Sequence, residues 1–333
     1  MRYYCQMLAA FVSAMLVANG LCYFYFNPGS VITNYDGYTV HKYRPSELTF
    51  YGAEGYCIKK TDRYGFYNSG DVTPNNANVV CIGSSQTEAL QVSEDKNYVE
   101  KLMQLGSANL SIYNLGISGQ FMNKSLSRLP RIPKYFPMVQ AIVLETPNLP
   151  SVQDWQDMKK SLDTGEVVIE DQDWKDSNIV LKTIRKIPLL RLLRKQCLAL
   201  NKKTEEKKKE KQKDINVNEY QFWANETLSA LRNRMGNMKI VFVCLPHTKL
   251  QKTGDMVLQD EEDQIMIMKK ACVANNIKYV DMWPAFHQAY ENERIVPYGH
   301  VNGHAASGHL NAHGHRIIAE TLYDVFKKDG LCQ

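Results

Sequence analysis

The sequence contains no Cys-x-x-Cys pair and no internal repeat. Its eight cysteines are scattered, and Cys81 and Cys244 lie inside apolar runs, where a free thiol packs as a small hydrophobic side chain. Structural zinc sites need closely spaced thiolate or imidazole ligands, so the pattern argues against a cysteine-based zinc site. A disulfide that involves Cys57 or Cys332 stays open here, because pairing cannot be read from spacing.

Net charge is also low, +5 over 333 residues, and it is unevenly distributed. Lys182–Asp214 holds thirteen Lys and Arg against four Asp and Glu, so the rest of the chain is mildly acidic. Basic charge confined to one insertion does not predict a nucleic-acid partner. We interpret the low-complexity stretch Asn201–Asp214 as a solvated arm. The alternative is that Ile179–Leu200 forms an amphipathic helix on an anionic membrane surface.

Charge is absent altogether from Gln6–Phe26. This run matches the ~20 apolar residues that a helix needs to cross a bilayer. It ends in four consecutive aromatic residues and then Asn27-Pro28-Gly29, which is typical of a membrane interface followed by a helix stop. A cleavable signal peptide usually has a shorter apolar core and a small-residue cleavage site. We therefore expect residues 1–27 to form an uncleaved signal anchor and a transmembrane helix.

Short apolar runs alternate with helical patterns from residue 76 to residue 330. The predicted strands are Ala77–Ile82, Ser111–Leu115, Ala141–Glu145, Lys239–Leu245 and Lys278–Met282. The predicted helices are Glu94–Leu105, Glu219–Met235, Glu261–Asn275 and His313–Lys328. Alternation of this kind predicts an α/β domain with a parallel sheet covered on both faces. Residues 28–75 are expected to form an irregular lead-in, and residues from about 150 to 216 a basic helical and low-complexity insertion.

Two segments carry residues of nucleophilic chemistry. The first strand runs into Gly83-Ser84-Ser85 and a helix start, and His309 lies just before the closing helix. A strand-to-helix turn exposes a serine hydroxyl at the carboxyl edge of a parallel sheet, where α/β folds place their sites. Serine is a weak nucleophile at its own pKa and needs a neighbouring base, which a histidine supplies.

Four segments resemble, in order, the four blocks of the SGNH (GDSL-type) hydrolases. The segment GSSQTEALQV from Gly83 resembles the first block, YNLGISGQ from Tyr113 the second, AIVLETPN from Ala141 the third and GHLNAHGH from Gly308 the last. Together the blocks span about residues 60–325. The resemblance implies the SGNH fold, a three-layer α/β/α sandwich around a flavodoxin-like parallel sheet of five strands.

The resemblance also implies the roles of the site residues. Ser85 matches the nucleophile, and Ser84 is the fallback. His309 matches the base, while the backbone of Ser85, Gly119 and the amide of Asn148 match the oxyanion hole. It implies no metal and no organic cofactor. The expected activity is hydrolysis of acyl esters, small ones such as acetyl above all, on carbohydrate, cell-envelope or lipid substrates. Analogy with exported relatives places the catalytic domain outside the cytoplasm.

The last block departs from the family pattern. The family usually has Asp three residues before the histidine, and this chain has Ala306. We expect a backbone carbonyl to hold the imidazole, or a Ser-His dyad to act alone, because removal of one triad member leaves substantial catalysis. Asp281 and Glu88 are weaker candidates for the acid. Ser84 and Ala89 are further departures, from Asp and Gly of the first block.

Several alternatives remain open from the sequence. His300, His304, His313 and His315 surround His309, so a metal cluster competes, although the spacing is not diagnostic. We interpret His313 and His315 as helix-face residues and His304 as a partner of the site. The alternative functions are an O-acetyltransferase acting on envelope polysaccharide, a binding or assembly protein with a degraded site, and a membrane-tethered scaffold whose basic arm is the working part.

Overall fold

The structure is a computed structural model of the chain. It describes residues 2–27, 29, 31–33, 41–106, 110–120, 122–165, 187–194, 197, 216–260, 262–303 and 306–332. The arm Asn201–Asp214 and His304 lie outside the described residues, so their predicted roles stay predictions.

A parallel sheet of five strands forms the centre of the molecule. Its strands are β6 (Val79–Ile82), β7 (Ile112–Asn114), β8 (Ala141–Thr146), β9 (Lys239–Cys244) and β12 (Lys278–Asp281). They lie in the order β12-β9-β8-β6-β7, all neighbours parallel. Counted within this sheet the order is 2-1-3-4-5, the flavodoxin-like order. The predicted fold class is confirmed, and the five predicted strands all form within two residues of their expected ends.

Helices cover both faces of the sheet because successive strand residues point to opposite faces. Val80 and Ile82 belong to one buried cluster, and Val79 and Cys81 belong to the other. The first face is covered by α4 (Met122–Arg128), α5 (Ile132–Tyr135), α6 (Val152–Thr164), α7 (Val217–Met235) and α8 (Glu262–Ala274). The second face is covered by α3 (Tyr98–Gly106), α9 (Trp283–Glu293) and α10 (Ala312–Lys328). A four-residue helix, α2 (Ser85–Glu88), follows β6.

The lead-in is more regular than predicted. Strands β1 (Phe26–Asn27), β4 (Leu48–Tyr51) and β5 (Cys57–Lys60) pair antiparallel, and β2 (Val31–Thr33) pairs with β3 (His41–Tyr43). The expectation of an irregular segment is wrong for these residues, since strands of two to four residues are too short to show a clear period. A further antiparallel pair, β10 (Thr248–Leu250) with β11 (Met256–Leu258), follows β9. The turn between β4 and β5, residues 52–56, is the part of the lead-in that reaches the site.

The first helix, α1 (Arg2–Tyr25), is long and apolar enough to cross a membrane by length and composition, and none of its apolar window is buried. Its end contacts the lead-in, where the rings of Tyr23 and Phe24 lie 5.5 and 5.3 Å from the ring of Phe50. A described helical piece of the insertion, residues 188–194, lies beside it, and Arg191 donates to Asn27 Oδ1 at 2.8 Å.

All eight cysteines are free thiols. Cys57 and Cys332 are both buried and unpaired, so the disulfide left open by the sequence does not form in the structure.

Candidate active site

Ser85 lies on the turn between β6 and α2. Ser84 caps the short helix, its hydroxyl accepting from Gln86 N–H at 3.2 Å, so that Ser85 is the first helical residue. The backbone N–H of the first helical residue has no partner inside a helix, and no described residue accepts from Ser85 N–H. Ser85 is half-buried, whereas Ser84 is 2% exposed. Ser85, not the fallback Ser84, therefore presents an accessible hydroxyl.

His309 lies within hydrogen-bond distance of that hydroxyl. Its Nε2 is 3.0 Å from Ser85 Oγ. The chain around His309 is fixed to the serine helix by Gln86, whose Oε1 accepts from Leu310 N–H at 2.8 Å and whose amide donates to Gly308 O at 3.3 Å. The structure thus brings together the two residues that the sequence predicted as nucleophile and base, although 224 positions separate them.

The other nitrogen of His309 lies on a carboxylate that sequence reasoning missed. Glu54 Oε2 is 2.6 Å from His309 Nδ1, and Glu54 Oε1 accepts from His309 N–H at 2.8 Å. The expectation that a backbone carbonyl holds the imidazole is therefore wrong, because a carboxylate contacts Nδ1 instead. Glu54 lies on the turn between β4 and β5, far along the chain from the position three residues before the histidine. Ala306 occupies that position and has a left-handed φ of 58°.

Asn302 holds the Glu54 turn in place, and Gly308 leaves room for the carboxylate. Asn302 donates to Gly52 O at 2.8 Å and to Gly55 O at 3.0 Å, and its Oδ1 accepts from Gly55 N–H at 2.6 Å. Gly308 leaves the space that the carboxylate occupies, since a Cβ there would lie 2.2 Å from Glu54 Oε1. Burial acts to raise the pKa of Glu54, but the hydrogen bonds from His309 outweigh it and lower the pKa below its usual value. The carboxyl is therefore ionised at neutral pH and fixes the imidazole's orientation.

A second carboxylate, Glu145 at the end of β8, holds the serine turn. Its Oε2 accepts from Ser84 N–H at 2.8 Å and from Thr87 Oγ1 at 2.7 Å, and the Ser84 hydroxyl lies 3.1 Å from both oxygens. Glu145 is 2% exposed, and this burial raises its pKa. The carboxylate that the first block lacks at position 84 is thus supplied from the neighbouring strand. The glutamate that directly follows the apolar run Ala141–Leu144 was the only sequence signal for it.

Gly119 and Asn148 lie on the two loops beside this turn. Gly119 follows β7, is exposed, and has a φ of 77° with open space around its Cα. Asn148 follows β8 and is exposed, and no described residue bonds to its side-chain amide. These loops, like Ser85, stand at the carboxyl ends of the strands where the strand order reverses, between β6 and its neighbours β7 and β8.

The weaker acid candidates have other roles. Glu88 is fully buried and accepts from Ser118 N–H at 3.1 Å and from the Ser118 hydroxyl. Burial raises its pKa. Asp281 accepts from Trp283 N–H at 2.9 Å at the start of α9. Neither contacts His309.

The other histidines do not form a metal centre among the described residues. His315 is buried, its pKa is lowered to about 3 by burial, and its Nδ1 accepts from Tyr98 N–H at 3.3 Å. The Nε2 of His300 lies 3.2 Å from the backbone carbonyl oxygen of Leu310. His313 is exposed on α10. Within the part of the chain that the structure describes, no three His, Cys, Asp or Glu side chains converge as metal ligands.

The arrangement has the parts that nucleophilic acyl transfer requires. A hydroxyl lies against an imidazole, a carboxylate lies on the imidazole's far nitrogen, and an unpaired backbone N–H lies beside the hydroxyl. Ser, His and Asp or Glu in this geometry recur on unrelated folds, so geometry identifies such a site where sequence order does not.

No family model and no curated protein matches the chain. Solved structures with a similar chain path include a lipolytic G-D-S-L family protein from Veillonella parvula, at 14% identity and a TM-score of 0.40 over 75% of this chain and 98% of that one. A lipase/acylhydrolase from Enterococcus faecalis has 12% identity and a TM-score of 0.41 over 76% and 96%. The acetyl xylan esterase AlAXEase has 13% and 0.39 over 74% and 98%. At these values the likeness carries no conclusion about activity.

Proposed function

We propose that the protein is a membrane-anchored serine esterase of the SGNH type that hydrolyses small acyl esters, with Ser85, His309 and Glu54 as its triad. The observation that carries the proposal is the continuous chain of contacts from Ser85 Oγ to His309 Nε2 at 3.0 Å and from His309 Nδ1 to Glu54 Oε2 at 2.6 Å. An intact triad counts against the alternative of a binding protein with a degraded site.

In the proposed reaction His309 takes the proton of Ser85 as the hydroxyl attacks the ester carbonyl. Glu54 holds the imidazole with Nδ1–H toward its own carboxylate and stabilises the imidazolium. The tetrahedral oxyanion is stabilised by the N–H groups of Ser85 and Gly119 and by the Asn148 amide. His309 then gives its proton to the leaving alcohol, and water repeats the sequence on the acyl-enzyme. Each donor of such an oxyanion hole is worth about 10²–10³ in turnover.

The resemblance of the four sequence blocks supports small acyl groups, acetyl above all. A cavity opens beside the triad, and its walls include Gln86 and Gly308, the neighbours of Ser85 and His309. Esters of carbohydrate or of the cell envelope are the substrates we propose, with lipid esters of short chains as the remaining class.

We further propose that α1 anchors the protein, with the esterase domain outside the cytoplasm. The helix exposes a nearly continuous apolar surface, including Leu8, Phe11 and Leu16 at 63–68% exposure. A bilayer removes such a surface from water.

The direct test is turnover of p-nitrophenyl esters from acetate to octanoate by the full chain in detergent. We expect acetate to be hydrolysed fastest, and Ser85→Ala and His309→Ala each to lower kcat about 10⁴-fold or more. Equal turnover by the wild type and both variants would reject the proposal. A wild type that forms an acyl-enzyme but releases it only when a sugar acceptor is added would instead be the O-acetyltransferase.

A further inference from the structure

The end of α1 is joined through β1 to the strand that leads into the Glu54 turn. β1 follows the helix directly and pairs antiparallel with β4, with Phe26 opposite Tyr51. Tyr51 is the last residue of β4, and Glu54 comes three positions later, where its carboxylate lies on His309. A short piece of chain therefore connects the membrane helix to one member of the proposed triad.

The helix end also contacts the chain on both sides of Glu54. Before it, Gly52 lies so close to the helix that a Cβ there would be 2.6 Å from Tyr25 O and 2.8 Å from the Tyr25 ring. After it, the Tyr56 hydroxyl donates to Phe24 O at 3.1 Å. The turn is therefore held against α1 at both of its flanks.

Aromatic packing makes this junction firm. The rings of Tyr23 and Phe24 lie 5.5 and 5.3 Å from the ring of Phe50, and the rings of Phe26 and Tyr51 lie 5.5 Å apart. Phe26 and Phe50 are 7% and 5% exposed. Aromatic rings about 4.5–7 Å apart attract each other beyond the burial of their surface. Because closely packed groups yield little, a shift of the helix end moves β4 as well.

The rest of α1 makes no such junction. Residues 2–17 are all exposed, whereas burial begins with the residues that follow them. A helix that served as a tether alone would need only a linker to the domain. The helix thus has two parts, an exposed part that suits a bilayer and an end that packs on the turn of the proposed active site.

We infer that Tyr23–Asn27, the helix end together with β1, is a positioning segment of the active site that holds Glu54 against His309. The inference rests on the proposed esterase function and adds its dependence on the anchor. A chain without this segment lacks the strand that pairs with β4, so the anchored chain is the active form. Asn302 also holds the Glu54 turn, and disturbance of the segment alone therefore displaces the carboxylate only in part.

The test measures kcat and KM for p-nitrophenyl acetate with the full chain in detergent. We expect Phe26→Ala to lower kcat about tenfold and Tyr56→Phe, which removes only the hydroxyl on Phe24 O, about threefold. KM should stay unchanged, because neither side chain lines the cavity beside the triad. Phe26→Leu keeps an apolar side chain against Tyr51 and should recover most of the kcat. The control is Tyr4→Ala, an aromatic residue 76% exposed at the other end of α1, with kcat unchanged.

A double variant separates positioning from a general loss of structure. If Phe26 acts through Glu54, Phe26→Ala has little further effect once the carboxylate is gone. We expect it to slow covalent labelling of Ser85 by a fluorophosphonate about tenfold in the wild type and less than about twofold in Glu54→Gln. The same tenfold loss in both backgrounds would overturn the inference.

Wild-type kcat in both Phe26→Ala and Tyr56→Phe would also overturn it and would leave the esterase proposal standing. Tyr56→Phe keeps the test decisive if Phe26→Ala disturbs the fold, which far-UV circular dichroism and Tm reveal. Turnover by the wild type no higher than that of Ser85→Ala would overturn the esterase proposal and this inference with it.

Discussion

The Glu54–His309 pair and the pair formed by Asp260 with His247, which follows β9, hold their imidazoles in the same way, yet only His309 adjoins a serine hydroxyl. In each pair one carboxylate oxygen lies at 2.6 Å from the imidazole Nδ1, and the other oxygen accepts a hydrogen bond from the backbone N–H of the same histidine. His309 then has Ser85 Oγ at 3.0 Å, whereas the Nε2 of His247 faces no described partner. Orientation by a carboxylate therefore does not distinguish the proposed base from the other histidine. The serine turn that Glu145 fixes does distinguish them, because it brings Ser85 to His309.

Among the changes that compare the two pairs, removal of the carboxylate on His309 Nδ1 should lower turnover the most. Glu54→Gln keeps the size of the side chain but loses the charge that fixes the imidazole and stabilises the imidazolium. We expect kcat with p-nitrophenyl acetate to fall about 10³–10⁴-fold with little change in KM, because Glu54 contacts no substrate. The control is Glu291→Gln in the exposed pair with His287. A loss below tenfold would show that the Ser-His dyad is sufficient.

The next largest loss of kcat is expected when Glu54 is displaced by a substitution at a neighbouring residue. Gly308→Ala places a Cβ 2.2 Å from Glu54 Oε1 and strains a φ of 87°. A misplacement of about 1 Å can cost about 10²-fold in rate, and we expect kcat to fall by that amount. Gly330→Ala is a matched control, since its φ is 67° and nothing lies within 4 Å of the added Cβ. Both variants should lose about 1–2 kcal/mol of stability from backbone strain. Equal kcat values for the two would contradict the placement of Glu54.

A smaller effect is expected at the carboxylate that holds the serine turn. Glu145→Gln leaves one acceptor oxygen for the donors of Ser84 and Thr87, so one buried group loses its partner. We expect the free energy of unfolding to fall by about 1–3 kcal/mol and kcat to fall about 10–100-fold. Adding Ser84→Asp, which returns a carboxylate to the turn, should recover part of the kcat. A stability loss with kcat unchanged in the folded fraction would assign Glu145 a purely structural role.

The smallest effect concerns the pH dependence of the second pair. The hydrogen bond that His247 donates to the Asp260 carboxylate raises the pKa of His247 in the folded state, so protonated His247 stabilises the fold. That contribution is fully present below the unfolded pKa of about 6.5 and is lost as pH rises through the folded pKa. For a half-exposed pair we expect about 1 kcal/mol or less. The Tm difference between the wild type and His247→Gln should therefore be largest near pH 5.5 and shrink toward pH 9. A constant difference would contradict this.

The sheet could be predicted from the sequence because parallel strands buried on both faces are short apolar runs that need no distant information. VVCI and AIVL are such runs, and both lie in strands. The pairing of Ser85 with His309 followed from the resemblance of their blocks to a known family. The lead-in strands were missed because two to four residues show no reliable alternation.

Glu54 could not be predicted because nothing local marks it. It stands 255 positions from His309, on a turn between two strands that were themselves missed, and only its flanking Gly52 and Gly55 hint at a tight turn. Pairing across such a separation is fixed by tertiary contacts such as those of Asn302. The sequence shows that no acid stands at position 306, but which residue takes over its contact with His309 depends on the tertiary structure.

Glu54 and His309 are proposed to activate Ser85, and the rate of covalent labelling by a fluorophosphonate measures this activation without a known substrate. We predict a single adduct on the peptide that contains Ser85, with a labelling rate reduced about 10²-fold or more in Glu54→Gln and His309→Ala and unchanged in Glu291→Gln. An adduct on another serine would contradict this activation, and so would a labelling rate of Glu54→Gln equal to that of the wild type.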